Sequence, residues 1–210
     1  MLIQSADIKT LERRYRLNLI NSITGIKPAN LVGTRSADKH DNLAIISSVV
    51  HLGSDPAQLG LVMRPQTKSP KDTYLNICET GHYTINHVSE AFVRKAHYTS
   101  AKLAKQESEF ERMKLQKEFI NDFPAPFVKE SAVKIGMKHL DNIDLPNGCI
   151  FVIGTVELLS LPDKALNEFG QLDLTAYQNV GISGLNTYYR LEKQASFPYV
   201  RLDEIPEFDG

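Results

Sequence analysis

Residues 43–52 (LAIISSVVHL) carry apolar or small side chains at odd and even positions alike, interrupted only by Ser47, Ser48 and His51. In an extended strand successive side chains point to opposite faces, so this segment needs cover on both. One face would fill a barrel, and the other would lie under a helix or a second subunit. A polar turn at 37–42 (ADKHDN) separates it from residues 29–36, which are rich in β-branched and small residues. The pair reads as strand, turn, strand.

The same pattern continues down the chain. Residues 58–64 form a third expected strand, closed by Pro65. Asp72 caps an expected helix over 73–80, with Gly81 as a favourable residue just past its end. A fourth strand is expected at 82–88, and the strongest β signals after it lie at 128–138 and 148–161. Helical propensity returns over 90–117, broken around Ser100 and Lys102 into two helices or a helix and a loop. Residues 179–184 read as loop and 187–191 as a short strand. Before all of these, residues 5–23 read as one helix with Ser5 as N-cap and Leu11, Tyr15, Leu19 and Ile23 on one face. Strands follow one another through short turns with no regular βαβ alternation, which disfavours a Rossmann sheet. The expectation is a single domain over 1–210, mainly β with peripheral helices: an antiparallel barrel.

Apolar residues make up 42% of the chain, enough for a core without disulfide or metal staples. A net charge of −1 argues against general nucleic-acid binding. Cys78 and Cys149 lie far apart with no CxxC partner, so free, buried thiols in a reducing cytoplasm are expected. The first residues lack the apolar run of a signal peptide, and no apolar stretch is long enough to span a bilayer. A soluble cytoplasmic protein is the expectation. No P-loop, G-x-S-x-G, H-E-x-x-H or G-x-G-x-x-G occurs. Gly181 and Gly184 do not open an expected helix. His82 and His87, five apart on one strand, face opposite sides, so no metal site is expected.

What remains is a polar set inserted into apolar strands: Asn42, Ser47, Ser48, Arg64 and Thr73. Hydroxyls, a guanidinium and free N–H groups at a helix start together suit a dianionic phosphate. A Ser pair in a strand serves equally as small packing, and an Arg before Pro is commonly a solvated strand end. The order of these residues, not any one of them, points to an anion.

That order resembles the flavin reductase-like family of FMN-binding split β-barrels. The corresponding text is DNLAIISSVVHLGSDPAQLGLVMRP followed by DTYLNICETGHYTINHV, in which Asn42, Ser47, Ser48, Asp55, Pro56, Arg64, Thr73, Gly81 and Asn86 fall in the family's order. AHYTSAKLAKQESEF, PAPFVKESAVKIGMK and CIFVIGTVELL are similar to later family segments, so the resemblance covers about 18–161 and leaves 162–210 as an extension. Leu43, Gly53 and Ala57 depart from residues common in the family. The resemblance implies that Ser48, Arg64 and Thr73 hold the FMN phosphate with Ser47 close by. It sets Asn42 and the backbone from Ala44 to Ile46 against the isoalloxazine edge. Ser100 and Lys102 fall toward the ribityl or phosphate end, and His97 is either a nicotinamide contact or a structural histidine. It further implies FMN, with FAD as alternative, NADH or NADPH as reductant, and a site built at a homodimer interface. The implied activity is that of an NAD(P)H:flavin oxidoreductase, passing electrons to a flavin or small-molecule acceptor with no side-chain acid or base required. A non-enzymatic FMN electron carrier shares every one of these features. An oxidase of a pyridoxine-like substrate is weaker, because no dense Arg/Lys cluster offers a second phosphate site.

Overall fold

A computed structural model describes residues 1–66, 71–104 and 107–208. Helices α1 (Ser5–Thr10) and α2 (Arg13–Ser22) precede β1 (Lys27–Pro28), β2 (Asn30–Arg35), β3 (Asp41–Ile46), β4 (Val50–Ser54) and β5 (Ala57–Met63). Then come α3 (Asp72–Thr80), β6 (His82–His87), α4 (Val93–Tyr98), α5 (Glu109–Arg112), β7 (Lys117–Glu118) and β8 (Phe127–Val128). Two long strands, β9 (Lys134–Asp144) and β10 (Ile150–Ser160), are followed by β11 (Val180–Ser183), β12 (Thr187–Arg190) and a 3-10 turn at Leu202–Glu204. Among the described residues no helix is long and apolar enough to cross a membrane.

Seven antiparallel strands run in the order β3-β2-β6-β9-β10-β5-β4. The two outermost strands are consecutive in sequence, so the chain itself closes the barrel as it passes from β3 to β4. The expected single strand over 43–52 is therefore two. It pairs with β2 up to Ile46 and with β5 from Val50, and residues 47–49 make the bend between. Two serines at the bend are small enough to let the strand turn from one neighbour to the other. Inside the barrel Val32, Leu61, Ile77, Tyr83, Ile85, Met137 and Val152 form one buried cluster. Each such side chain contributes about 1.5–3 kcal/mol relative to exposure.

A second cluster lies outside the barrel, where Leu31, Leu43, Val88, Phe92, Ala96 and Phe110 join the barrel wall to α4 and α5. It extends to the small sheet β1-β11-β12 through Val180 and Ile182. That sheet corrects the reading of 179–184 as loop. Glycine weakens a strand signal, yet at Gly181 a Cβ would lie 2.3 Å from Ile26 Cγ2, so the residue allows this close approach.

Four other expectations are corrected. The helix over 5–23 is two, because Leu11 is extended (ψ 144°) and the Glu12 carboxylate accepts from the N–H groups of Arg14 and Tyr15, starting α2 afresh. Gln4, not Ser5, is the N-cap of α1. The strand over 128–138 is interrupted at 129–133, where Ser131 Oγ bonds the carbonyls of His87 and Val133. Both cysteines are free, but Cys78 is exposed on the outer side of α3 and Cys149 is only half-buried. Residues 105–106, within the helical stretch expected at 90–117, lie outside the described residues.

Candidate functional site

The polar residues singled out above are arranged along β3. Its side chains alternate. Leu43 is fully buried in the outer cluster with Ile45 beside it, while Ile46 packs against the barrel core. Asn42 and Ala44 share the face of Ile46. Pairing with β2 leaves the N–H groups of Leu43 and Ile45 at the strand's other edge. Both are held: Leu43 donates to Glu109 Oε2 (3.0 Å) and Ile45 to Thr99 Oγ1 (2.9 Å). Thr99, just after α4, and Glu109, at the start of α5, thus cover the edge that β3 would otherwise expose. Burial pushes the Glu109 carboxyl above its ordinary pKa, and the nearby charge of Asp72 adds to this against the bond from Leu43.

At the Asn42 end, β3 meets the start of α3. Asn42 Nδ2 donates to Thr73 Oγ1 (2.9 Å), and Thr34 Oγ1 accepts from both Asn42 (3.3 Å) and Asn76 (3.0 Å). Thr73 is only 3% exposed. Next to this network opens a cavity of about 680 Å³. Six carboxylates line it against two lysines, and one of these, Lys117, is paired with Asp41 at 2.6 Å. Burial acts to raise the Asp41 pKa, but the bonds from Arg35 and Lys117 outweigh it and hold the carboxyl below its ordinary value. The remaining carboxylates, Asp38, Asp72, Glu79, Glu107 and Glu111, leave the cavity strongly acidic.

The Ser47–Ser48 end is different in kind. Ser48 stands opposite Val62 in the register of β4 on β5, and its hydroxyl replaces the missing backbone pair. Oγ accepts from Val62 N–H and donates to Val62 C=O, each at 3.0 Å. One lone pair of that oxygen remains for a ligand. Arg64, two residues after Val62 and just past the end of β5, is exposed, as are Ser100 and Lys102 beyond the Thr99 anchor on Ile45. Among the described residues neither Arg64 nor Lys102 takes part in an ion pair.

The structure therefore divides the residues assigned together to a phosphate. Ser47, Ser48 and Arg64 gather at one end of β3, and Thr73 sits with Asn42 at the other. Asn42 and Ser48 are six positions apart, a span on the order of 20 Å for extended chain. The N–H groups of Ala44 and Ile46 belong to the ladder with β2, and that of Ile45 is taken by Thr99. His97 Nδ1 lies 3.1 Å from Tyr188 Oη, with its ring edge-on to Tyr98 and Tyr188, which ties α4 to β12. Sequence reasoning did not find Glu109 or Thr99. Their bonds to β3 join residues 66 and 54 positions apart, a link with no local signature.

A model of the flavin reductase like domain matches residues 26–182, past the 161 reached by the sequence resemblance. Among solved structures, the chain is similar to a candidate flavin reductase with split barrel domain from Shewanella frigidimarina NCIMB 400. The two share 44% identity and a TM-score of 0.91, covering 95% of this chain and 100% of that one. Flavoredoxin of Desulfovibrio vulgaris (Miyazaki F), at 24% identity and a TM-score of 0.72 over 83% of this chain and 92% of its own, shares the fold. A protein of Aquifex aeolicus (strain VF5), described only as uncharacterized, is 26% identical over 78% of this chain and 84% of its own.

Proposed function

The chain belongs to the flavin reductase-like family, and from that premise we propose that it binds FMN and passes a hydride to it from NADH or NADPH, as an NAD(P)H:flavin oxidoreductase. The observation that carries this reading is that Arg64, by the Ser47–Ser48 bend, and Lys102, past the Thr99 anchor on Ile45, are exposed and take part in no ion pair among the described residues. With the hydroxyls of Ser47 and Ser100 they form a donor set that fits a dianionic phosphate through charge-assisted bonds, while Ser48, its proton given to Val62, holds the bend to β5. The other end of β3 does not fit that charge, because Asp72 and the acidic cavity would repel it. Asn42 would instead meet the neutral polar atoms of the ring system, and Thr73 holds its amide in place. When bound, FMN would supply the acceptance of two electrons from nicotinamide; the protein's own groups bind and orient. His97, already bonded to Tyr188, serves as an anchor of the fold and no proton transfer is required of it. The cytoplasm, which holds nicotinamide coenzymes, is the proposed location of the reaction.

A homodimer is part of the reading. Val62 and Ile143 flank Phe151 in register on the outer face of β5, β10 and β9, and Val50 lies on the same face of β4. Val50, Val62 and Ile143 are 45%, 37% and 46% exposed, and a second copy is their proposed cover.

The test is the visible spectrum of purified protein supplied with FMN, recorded before and after NADH or NADPH without oxygen. A bound flavin band that bleaches, with multiple turnovers once free flavin is added, is the expected result. A bound band that persists with both coenzymes would leave a flavin carrier, and failure to bind FMN at all would remove the site as drawn.

A further inference from the structure

Two parts of the molecule leave their apolar side chains unburied. No residue of α2 is buried, and Tyr15, Leu17, Ile20 and Ile23 are 54%, 39%, 41% and 66% exposed. Beyond β12, Phe197, Tyr199, Leu202 and Phe208 are each more than four-fifths exposed. Pro198 and Pro206 keep this second segment out of both helix and sheet interior, so its side chains rather than its backbone must carry any contact. Single exposed apolar residues need no explanation, but runs of them mark an interaction surface.

The charges of the two parts are opposite. α2 opens with Arg13, Arg14 and Arg16, while the segment after β12 carries Asp203, Glu204 and Glu207 against Arg201. Among the described residues none of these acids or arginines takes part in an ion pair. Within one molecule neither part covers the other, since the apolar side chains of both stay exposed. β11 pairs antiparallel with both β1 and β12, so β1 and β12 run in the same direction. The chain enters β1 from α2 at one end of this small sheet and leaves β12 at the opposite end. A two-fold axis that sets α2 of one copy beside the departing segment of the other would bring the two opposite charge sets together.

We propose that residues 194–208 dock on α2 of a second copy, their aromatic and aliphatic side chains covering Tyr15, Ile20 and Ile23 and their acids facing Arg13 and Arg14. Two-fold symmetry makes the contact reciprocal, so each dimer contains it twice. The inference rests on the homodimer reading above but adds a surface outside the barrel face.

Two measurements test it. Sedimentation velocity gives the dimer dissociation constant of the full chain, of Arg13→Glu/Arg14→Glu, of Asp203→Lys/Glu207→Lys and of all four changes together. Either pair should weaken the dimer roughly tenfold or more, since each places like charges opposite one another twice per dimer. The fourfold variant should recover most of that loss. A photoreactive benzoylphenylalanine in place of Tyr199, in a mixture with a tagged copy, should cross-link to α2 of the tagged chain. A dimer that forms normally in every variant, or cross-links confined to the same chain or to the barrel, overturns the exchange and leaves the homodimer intact. A full chain that stays monomeric at tens of micromolar overturns both.

Discussion

The two ends of β3 carry similar polar residues but differ in what those residues are free to do. At the Asn42 end the residues nearest the strand have partners inside the chain. Asn42 and Asn76 converge on Thr34 and Thr73, Glu109 accepts the bond from Leu43, and Lys117 neutralises Asp41. At the Ser47–Ser48 end one hydroxyl bridges to β5, and two cations, Arg64 by the bend and Lys102 past the Thr99 anchor, are exposed and take part in no ion pair among the described residues. The first end is already satisfied as a neutral and acidic network; the second completes its electrostatics only when an anion arrives. Residue type alone does not separate them. What separates them is whether the fold has already provided each group with a partner.

The contrast can be broken at either end. Arg64→Ala should weaken FMN binding by about 1.5–3 kcal/mol, the range of a hydrogen bond to a charged group, whereas Asp72→Asn should leave it unchanged or tighter. Fluorescence titration of FMN with each variant decides this, and equal affinity for Arg64→Ala and the parent chain would move the phosphate elsewhere. At the closed end, Glu109→Ala should lower folding stability by about 1–3 kcal/mol, because the N–H of Leu43 is left buried without an acceptor. Glu109→Gln keeps an oxygen for that bond and should be far milder. It also carries a pH signature. A carboxyl whose folded pKa is raised contributes stability that is fully present below its unfolded value near 4.5 and is lost as pH rises through the folded value. Denaturant melts of Glu109→Gln should therefore be flatter with pH across that window than those of the parent; parallel curves would show that Glu109 is not buried as described. The smallest effect belongs to Thr73→Val, about 0.5–1.5 kcal/mol in stability for one side-chain bond, with little change in FMN affinity. A large loss of FMN binding in that variant would return Thr73 to the phosphate and erase the difference between the two ends.

Much of the barrel was legible from local pattern. The turn at 37–42, the strand at 58–64, the helix near Asp72 and its stop at Gly81, with φ 71°, each follow from short-range preferences, although Asp72 is the first residue of that helix and Lys71, not Asp72, is its N-cap; the strongest β segment became β10. The misreadings were also local in origin. Glu12 competes for the N–H groups of its own helix, which splits the run over 5–23. Gly181 weakens the strand signal where a neighbour must come close. Residues 43–52 look like one strand because nothing in their own sequence says that the neighbour changes at the serines.

Taken alone, the sequence determined the strand-rich class, the order of elements and the set of polar residues with family-like spacing, because these depend on conformational preference and periodicity over a few residues. Only the tertiary structure decided that β3 and β4 are one bent chain closing a barrel, that Thr73 belongs with Asn42 rather than with Ser48, and that Glu109 and Thr99 cover the β3 edge. Those outcomes depend on strand register and on contacts between residues 31 to 66 positions apart. Such contacts are made only when the whole core packs, and no short stretch of chain encodes them.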